Sequence, residues 1–288
     1  MLNNNLKSGM SLYASKQIDE SILEFREAVR LRPDDAVAHY RLGEALHDQN
    51  SVEESIAEYR EALRIKPDYS QARLGLGYAL ALRGQINEAL DQYEAVLGVD
   101  PKDALAYRNK GRLLYSQKKI DAAIQAYRMA LTVNPSNASA FYDLGIALHD
   151  KGDLDAAIEA YQNAVRLQPD DVSALVNLGL TLAERAEQRR AATDWETANN
   201  AFLQALRCRP KYAKALYGCG LVQWGLNNRP EALQWMSRAV EANPLDDPPY
   251  NRLLWMWWRI FWHQVRNGQW KQARGTRQSI SQASGQRR

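Results

Sequence analysis

"DLGIALHDKGDLDAAIEAYQNAVRLQPD", residues 143–170, matches "RLGEALHDQNSVEESIAEYREALRIKPD", residues 41–68, at 12 of 28 positions and at a distance of 102 residues. A match at that distance makes a short internal period the first thing to test. Prolines at 33, 67, 101, 135, 169, 210 and 244 supply it, with spacings of 34, 34, 34, 34, 41 and 34. Glycines keep the same step at Gly9, Gly43, Gly77, Gly111, Gly145, Gly179 and Gly220. So does a small residue followed by a large one: Ser21 and Phe25, Ser55 and Tyr59, Ala89 and Tyr93, Ala123 and Tyr127, Ala157 and Tyr161, Ala198 and Phe202, Ala232 and Met236. Three residues further on stand Ala28, Ala62, Val96, Ala130, Ala164, Ala205 and Ala239. This i, i+4, i+7 stripe is one face of a helix.

Each unit therefore reads as two helices. The first carries Leu-Gly (Leu42-Gly43, Leu76-Gly77, Leu144-Gly145, Leu178-Gly179), where the missing side chain admits a neighbouring helix. The second stops at the proline, which cannot donate an amide hydrogen or continue the helix. Polar turn residues such as "KGD" at 151–153 separate the two. These positions in register resemble the tetratricopeptide repeat family, whose unit has the same Leu-Gly, Ala, aromatic, Ala and Pro pattern. The resemblance implies an all-α, right-handed superhelical solenoid of helix-turn-helix repeats. It covers seven units: 2–35, 36–69, 70–103, 104–137, 138–171, 172–212 and 213–246. Ser8, Lys110 and Cys219 depart from its leucine, and Met236 from its aromatic.

The sixth unit is seven residues longer, within "LAERAEQRRAATDWETANNAF" at 182–202. Seven residues are about two turns, so the first helix lengthens without losing register. Thr193 and Glu196 have the spacing of a capping box and set the expected start of the second helix. The added turns are expected to project from the stack. Residues 247–274 read as a degenerate eighth repeat of aromatic capping helices, with Trp270 and Ala273 opposite Trp195 and Ala198. Residues 275–288 read as a disordered basic tail.

Composition narrows the function classes. The chain has 37 basic and 34 acidic residues in 288; all 34 acidic ones precede Pro248, while eight basic ones follow Asp247. The repeats are thus net acidic, which disfavours nucleic acid as a partner. Cys208 and Cys219 lack the spacing of a metal or redox motif and read as helix residues of a reducing compartment. The first residues show no apolar run of signal-peptide length, and no run reaches the roughly 18 residues that cross a bilayer. Cytoplasmic localisation is the expectation.

The resemblance places the inner wall of the superhelix on the first helices. The partner-binding positions it implies are Tyr40, Arg41, Glu44, His47, Tyr78, Arg108, Asn109, Arg112, Tyr115, Tyr142, Asn177, Tyr217 and Trp224. Arg252, Trp255, Trp258 and Arg259 extend that wall. Tyrosine area with arginine donors suits a protein or peptide partner of acidic or aromatic character. Two family modes fail on the residues: no three consecutive units hold a carboxylate clamp, and no asparagine ladder forms. The pairs His47-Asp48 and His149-Asp150 carry no metal chemistry in this reading, because additional converging ligands are missing. Duplication of a three-unit block accounts for them. No catalytic residue, metal or cofactor is expected.

"YNRLLWMWWRIFWHQ", residues 250–264, holds four of the eight tryptophans. Its apolar run is too short to span a bilayer and is broken by Arg259. Three roles remain open for it: a cap on the solenoid, a surface for a partner or for self-association, and a membrane-surface contact. The whole reads as a non-enzymatic protein–protein interaction scaffold, an assembly or accessory factor that holds a peptide or helix in a concave groove. The alternative is a membrane-surface adaptor docking through the Trp/Arg-rich C-terminal helix.

Overall fold

The computed structural model describes residues 4–242; Val240 within them is described in its backbone only. Fourteen helices fill that span, and no strand occurs among the described residues. They fall into two compact units, divided after Ser136. The first holds α1 (Asn4–Ala14), α2 (Ile18–Leu31), α3 (Ala36–Asp48), α4 (Val52–Ile65), α5 (Ser70–Leu82), α6 (Ile86–Val99), α7 (Ala104–Ser116) and α8 (Ile120–Val133). The second holds α9 (Ala138–Lys151), α10 (Leu154–Leu167), α11 (Val172–Arg189), α12 (Ala192–Cys208), α13 (Ala213–Gly225) and α14 (Arg229–Ala242). Within each unit an odd-numbered helix pairs with the next to form a hairpin. Its second helix leans on the first helix of the following hairpin, and first helices touch first helices. Each unit is a stack of hairpins, the all-α solenoid class that the period implies.

Local chemistry fixes the helix ends. Asp35, Asp103, Asn137 and Asp171 each cap a first helix, their side chains accepting from N–H groups of its first turn. Each lies two residues after a period proline, so one tripeptide ends a helix and starts the next. Between the helices of a hairpin the chain turns through one left-handed residue: Lys16, Asn50, Gly84, Lys118, Gly152, Arg190 or Asn227. Glycine meets that requirement at no steric cost, as at Gly152, and Asp153 then caps α10 through Ala156 N.

Packing follows the stripe. Phe25, Tyr59, Tyr93, Tyr127, Tyr161, Phe202 and Met236 are all buried. Each presses on the glycine of its own hairpin: a Cβ on Gly145 would stand 2.6 Å from Tyr161 Cε1. Two rings also meet a glycine of the next hairpin, Tyr59 at Gly75 and Phe202 at Gly218.

A polar clip repeats at the first turn of α1, α3 and α5. Asn5 Nδ2 donates to Glu24, Arg73 donates to Gln92 and to the Pro67 carbonyl, and His39 meets Glu58 Oε2 at 2.6 Å and the Pro33 carbonyl at 3.1 Å. Each partner side chain lies 19 residues on. An imidazole facing two acceptors satisfies both when both nitrogens carry hydrogen, which is how the Arg73 guanidinium serves the same site.

The seven-residue addition is shared between two helices rather than given to one. Helix α11 has 18 residues against 14 in α9, and α12 has 17 against 14 in α10. Helix α12 starts at Ala192 with no side-chain cap, so Thr193 is not its N-cap. Asp194 explains the shift: it is buried, and Arg185 of α11 grips it with two hydrogen bonds of 2.8 Å. Arg185 and Arg189 also bind Asp155 of α10. Nor does the extension stand clear of the stack, since Trp195 packs so closely on Gly225 of α13 that a Cβ there would lie 2.3 Å from its Cζ2.

Two outcomes follow for stability. Gly145→Ala forces the buried Tyr161 ring aside and is expected to cost about 1–3 kcal/mol. Gly98→Ala in α6 meets nothing within 4 Å and is expected to gain up to about 1 kcal/mol; urea unfolding midpoints moving in opposite directions check the pair. His39→Leu removes both bonds from acceptors that water can still reach and is expected to lower stability by about 0.5–1.5 kcal/mol, whereas His39→Arg, copying Arg73, restores most of it in the same assay.

Candidate functional site

In the first unit α3, α5 and α7 lie side by side, and the side chains they do not spend on packing form one wall. Tyr40, Glu44 and His47 project from successive turns of α3, because steps of three and four residues keep one face. Tyr78 comes from α5 and Asn109 from α7. These five expected residues line a single cavity of about 280 Å³ together with Tyr59, Gln71, Leu74, Gly75 and Leu105. The last five were not expected. Gly75 was the one signal available, as a residue without a side chain in a wall position.

The charges of this wall are tied up locally. Tyr40 Oη donates to Glu44 Oε1 at 2.5 Å, and Arg41 Nη1 donates to Glu44 Oε2 at 2.6 Å. Burial, helped by Glu44, pushes the Tyr40 phenol well above its usual range. Burial works against the Arg41 charge, but the bond to Glu44 and its charge leave the guanidinium raised. Tyr40 also packs on Tyr69, with ring centroids 5.1 Å apart. His47 Nδ1 lies 3.3 Å from Asp48 Oδ1, and its ring meets Tyr78 edge-on at 5.0 Å. Its Nε2 and the Nε of Arg41 are buried without a hydrogen-bond partner.

The remaining expected residues divide. Arg108 and Tyr115 are half-buried on α7, and Arg112 is exposed there. In the second unit Asn177 Nδ2 donates to Tyr142 Oη at 3.2 Å, joining two expected residues 35 positions apart. Tyr217 belongs to the core with Leu216, Met236 and Ala239 rather than to an open surface. Trp224 is half-buried, and the Arg229 guanidinium covers its ring at 3.6 Å. Arg252, Trp255, Trp258 and Arg259 lie outside the described residues, as do the expected eighth repeat at 247–274 and the tail at 275–288.

The two His-Asp pairs have separate local partners. His149 Nε2 meets Glu184 Oε2 at 2.9 Å, with Asp150 at 3.7 Å from Nδ1. Among the described residues no cluster of three or more His, Cys, Asp or Glu could hold a metal ion, and no helix is long and apolar enough to cross a membrane.

Comparisons with known proteins agree with this geometry. Family models described as tetratricopeptide repeat match residues 6–70 and 184–247, and residues 48–113; a third, described as TPR repeat, matches 111–152 and 147–184. Among curated proteins none matches the chain. Similar solved structures include MamA, at 23% identity and a TM-score of 0.54, covering 60% of this chain and 91% of that one. YrrB, described as a TPR protein with an unusual peptide-binding site, is 22% identical with a TM-score of 0.51, covering 67% and 95%. Pseudomonas aeruginosa pilF is 20% identical with a TM-score of 0.62, covering 73% and 93%.

The two cysteines stand in opposite environments. Cys208 is exposed, whereas Cys219 is buried and its thiol is pushed up to about 12 by that burial. A disulfide-exchange thiol reagent at neutral pH is expected to titrate one cysteine in the folded chain and the second only after denaturation.

Proposed function

Because the chain belongs to the tetratricopeptide-repeat family, we propose that it is a non-enzymatic protein–protein interaction scaffold which holds a peptide or helix of a partner. The observation that carries this reading is the cavity of the first unit. Tyr40, Glu44, His47, Tyr78 and Asn109, drawn from three successive hairpins, meet around one space of about 280 Å³. That volume falls just below the roughly 300–1,000 Å³ of small-molecule pockets. It suits one or two side chains of an extended segment lying along the wall.

The lining supports recognition rather than turnover. Tyrosines offer rigid area with a polar tip, at little entropic cost when a partner orders against them. Arg41 pairs with Glu44 and Tyr40 donates to it, and both described His-Asp pairs are held locally, His47 by Asp48 and His149 by Glu184. A peptide-binding site in the solved YrrB structure is a precedent within the fold. Acidic or aromatic segments remain the favoured partner chemistry, and the role we propose is that of a cytoplasmic assembly or accessory factor.

Affinity capture with the full chain tests the assignment. The native chain is expected to retain proteins that a Tyr78→Ala/Arg112→Glu variant loses, while circular dichroism shows equal helix content in both. Identical sets of captured proteins would remove the first-unit wall from the binding surface.

A further inference from the structure

The 102-residue offset allows the first-unit wall to be compared with its own copy. Tyr40 and His47 correspond to Tyr142 and His149. In the second unit both find a partner on the next hairpin, Tyr142 in Asn177 and His149 in Glu184. The residues 102 positions before Asn177 and Glu184 are Gly75 and Leu82. Gly75 brings no side chain, and Leu82 brings no polar atom and is 54% exposed.

The same rung exists at the start of the first unit. Tyr13 of α1 donates to Asp48 of α3 at 2.5 Å, 35 residues on, which is also the separation of His149 from Glu184. The residue 35 positions after His47 is Leu82. One rung of the wall therefore lacks its carboxylate. The consequence is visible in the orphaned Nε2 of His47, and the cavity that His47 lines opens beside Gly75, the counterpart of Asn177.

We propose that a partner fills this gap in trans: an aspartate or glutamate of an extended segment enters the cavity and sets its carboxylate on His47 Nε2, as Glu184 does on His149. The imidazole then stands between Asp48 and the guest, as His149 stands between Asp150 and Glu184. Donor capacity around the gap has the matching sign. Outside the cavity lining, Arg41 Nε is buried and unpartnered, and Arg112, one turn beyond the lining Asn109 on α7, is exposed. Glu44 presents no free charge to an incoming anion, since Arg41 and Tyr40 already hold it. His47 Nε2 is buried and Tyr78 stands edge-on to its ring, so a guest reaches it only by displacing neighbouring side chains.

This inference rests on the wall being a peptide-binding surface, and one experiment separates the two. Imidazole nitrogen resonances of the full chain, assigned by substituting each of the four histidines, are followed during titration with acetyl-Ala-Glu-Ala-amide and its Gln and Lys counterparts. The Glu peptide is expected to move the His47 signals and leave those of His149 in place. The Gln peptide is expected to bind roughly tenfold more weakly, for want of a charge-assisted bond. Leu82→Glu, at an exposed helical site that tolerates the change, supplies the carboxylate in cis; it should bring the His47 signals close to those of His149 and abolish the response, while Leu82→Gln keeps it. Equal binding of the Glu and Gln peptides, preference for Lys, or an undiminished response in Leu82→Glu overturns the acidic assignment. Tyr40 and Tyr78 signals that move with all three peptides alike would do so while sparing the peptide-binding wall; silence towards all three removes both.

Discussion

A ring pressed onto a glycine sets the geometry of this protein. In the fifth repeat Tyr161 of the second helix lies where the Cβ of residue 145 would be, and the same contact recurs with Phe25, Tyr59, Tyr93, Tyr127, Phe202 and, in aliphatic form, Met236. Because the ring occupies the space of a side chain, the two helices of a hairpin approach as closely as the backbone of one allows. Tyr59 and Phe202 reach further, onto Gly75 and Gly218 of the following hairpin. One aromatic residue thereby fixes both the pairing within a repeat and the approach of the next. A hairpin alone could not bury that ring on both faces, which is why the repeats stabilise one another as a stack.

Once the aromatic stripe is committed to this contact, the opposite faces of the first helices are left to polar side chains. Where a residue on one hairpin finds its complement on the next, as Asn177 does with Tyr142 or Glu184 with His149, the wall is closed by its own hydrogen bonds. Where the complement is Gly75, the wall opens into a cavity, and where it is Leu82, the Nε2 of His47 is left without a partner. The lengthened sixth repeat obeys the same economy. Its extra turns are held by Arg185 on Asp194 and Asp155, and Trp195 lies on Gly225, so they strengthen the stack instead of leaving it.

Much of this was legible in the residues themselves. The prolines, the Leu-Gly pairs and the aromatic stripe mark helix ends, close approaches and the buried face directly, since each depends on local geometry. The lining of the first-unit cavity was legible in part: Tyr40, Glu44, His47, Tyr78 and Asn109 were named from their place in the repeat, and they share that space. Tyr217 shows the limit. It holds a wall position by register, yet it sits in the core beside Met236, because what surrounds it comes from another helix. Trp224 likewise has its face covered by Arg229. The capping-box spacing of Thr193 and Glu196 lost to the buried Arg185–Asp194 pair for the same reason.

The sequence by itself determined the class of fold and the register of the helices, because a 34-residue period records which positions are equivalent. Only the tertiary structure decided which of those equivalent positions are satisfied. His47 and His149 occupy the same place in LGEALHD and LGIALHD, and the Nε2 of His149 is paired while that of His47 is not. Their difference lies 35 residues away, in Leu82 against Glu184, and it acquires meaning only when stacking brings successive first helices side by side.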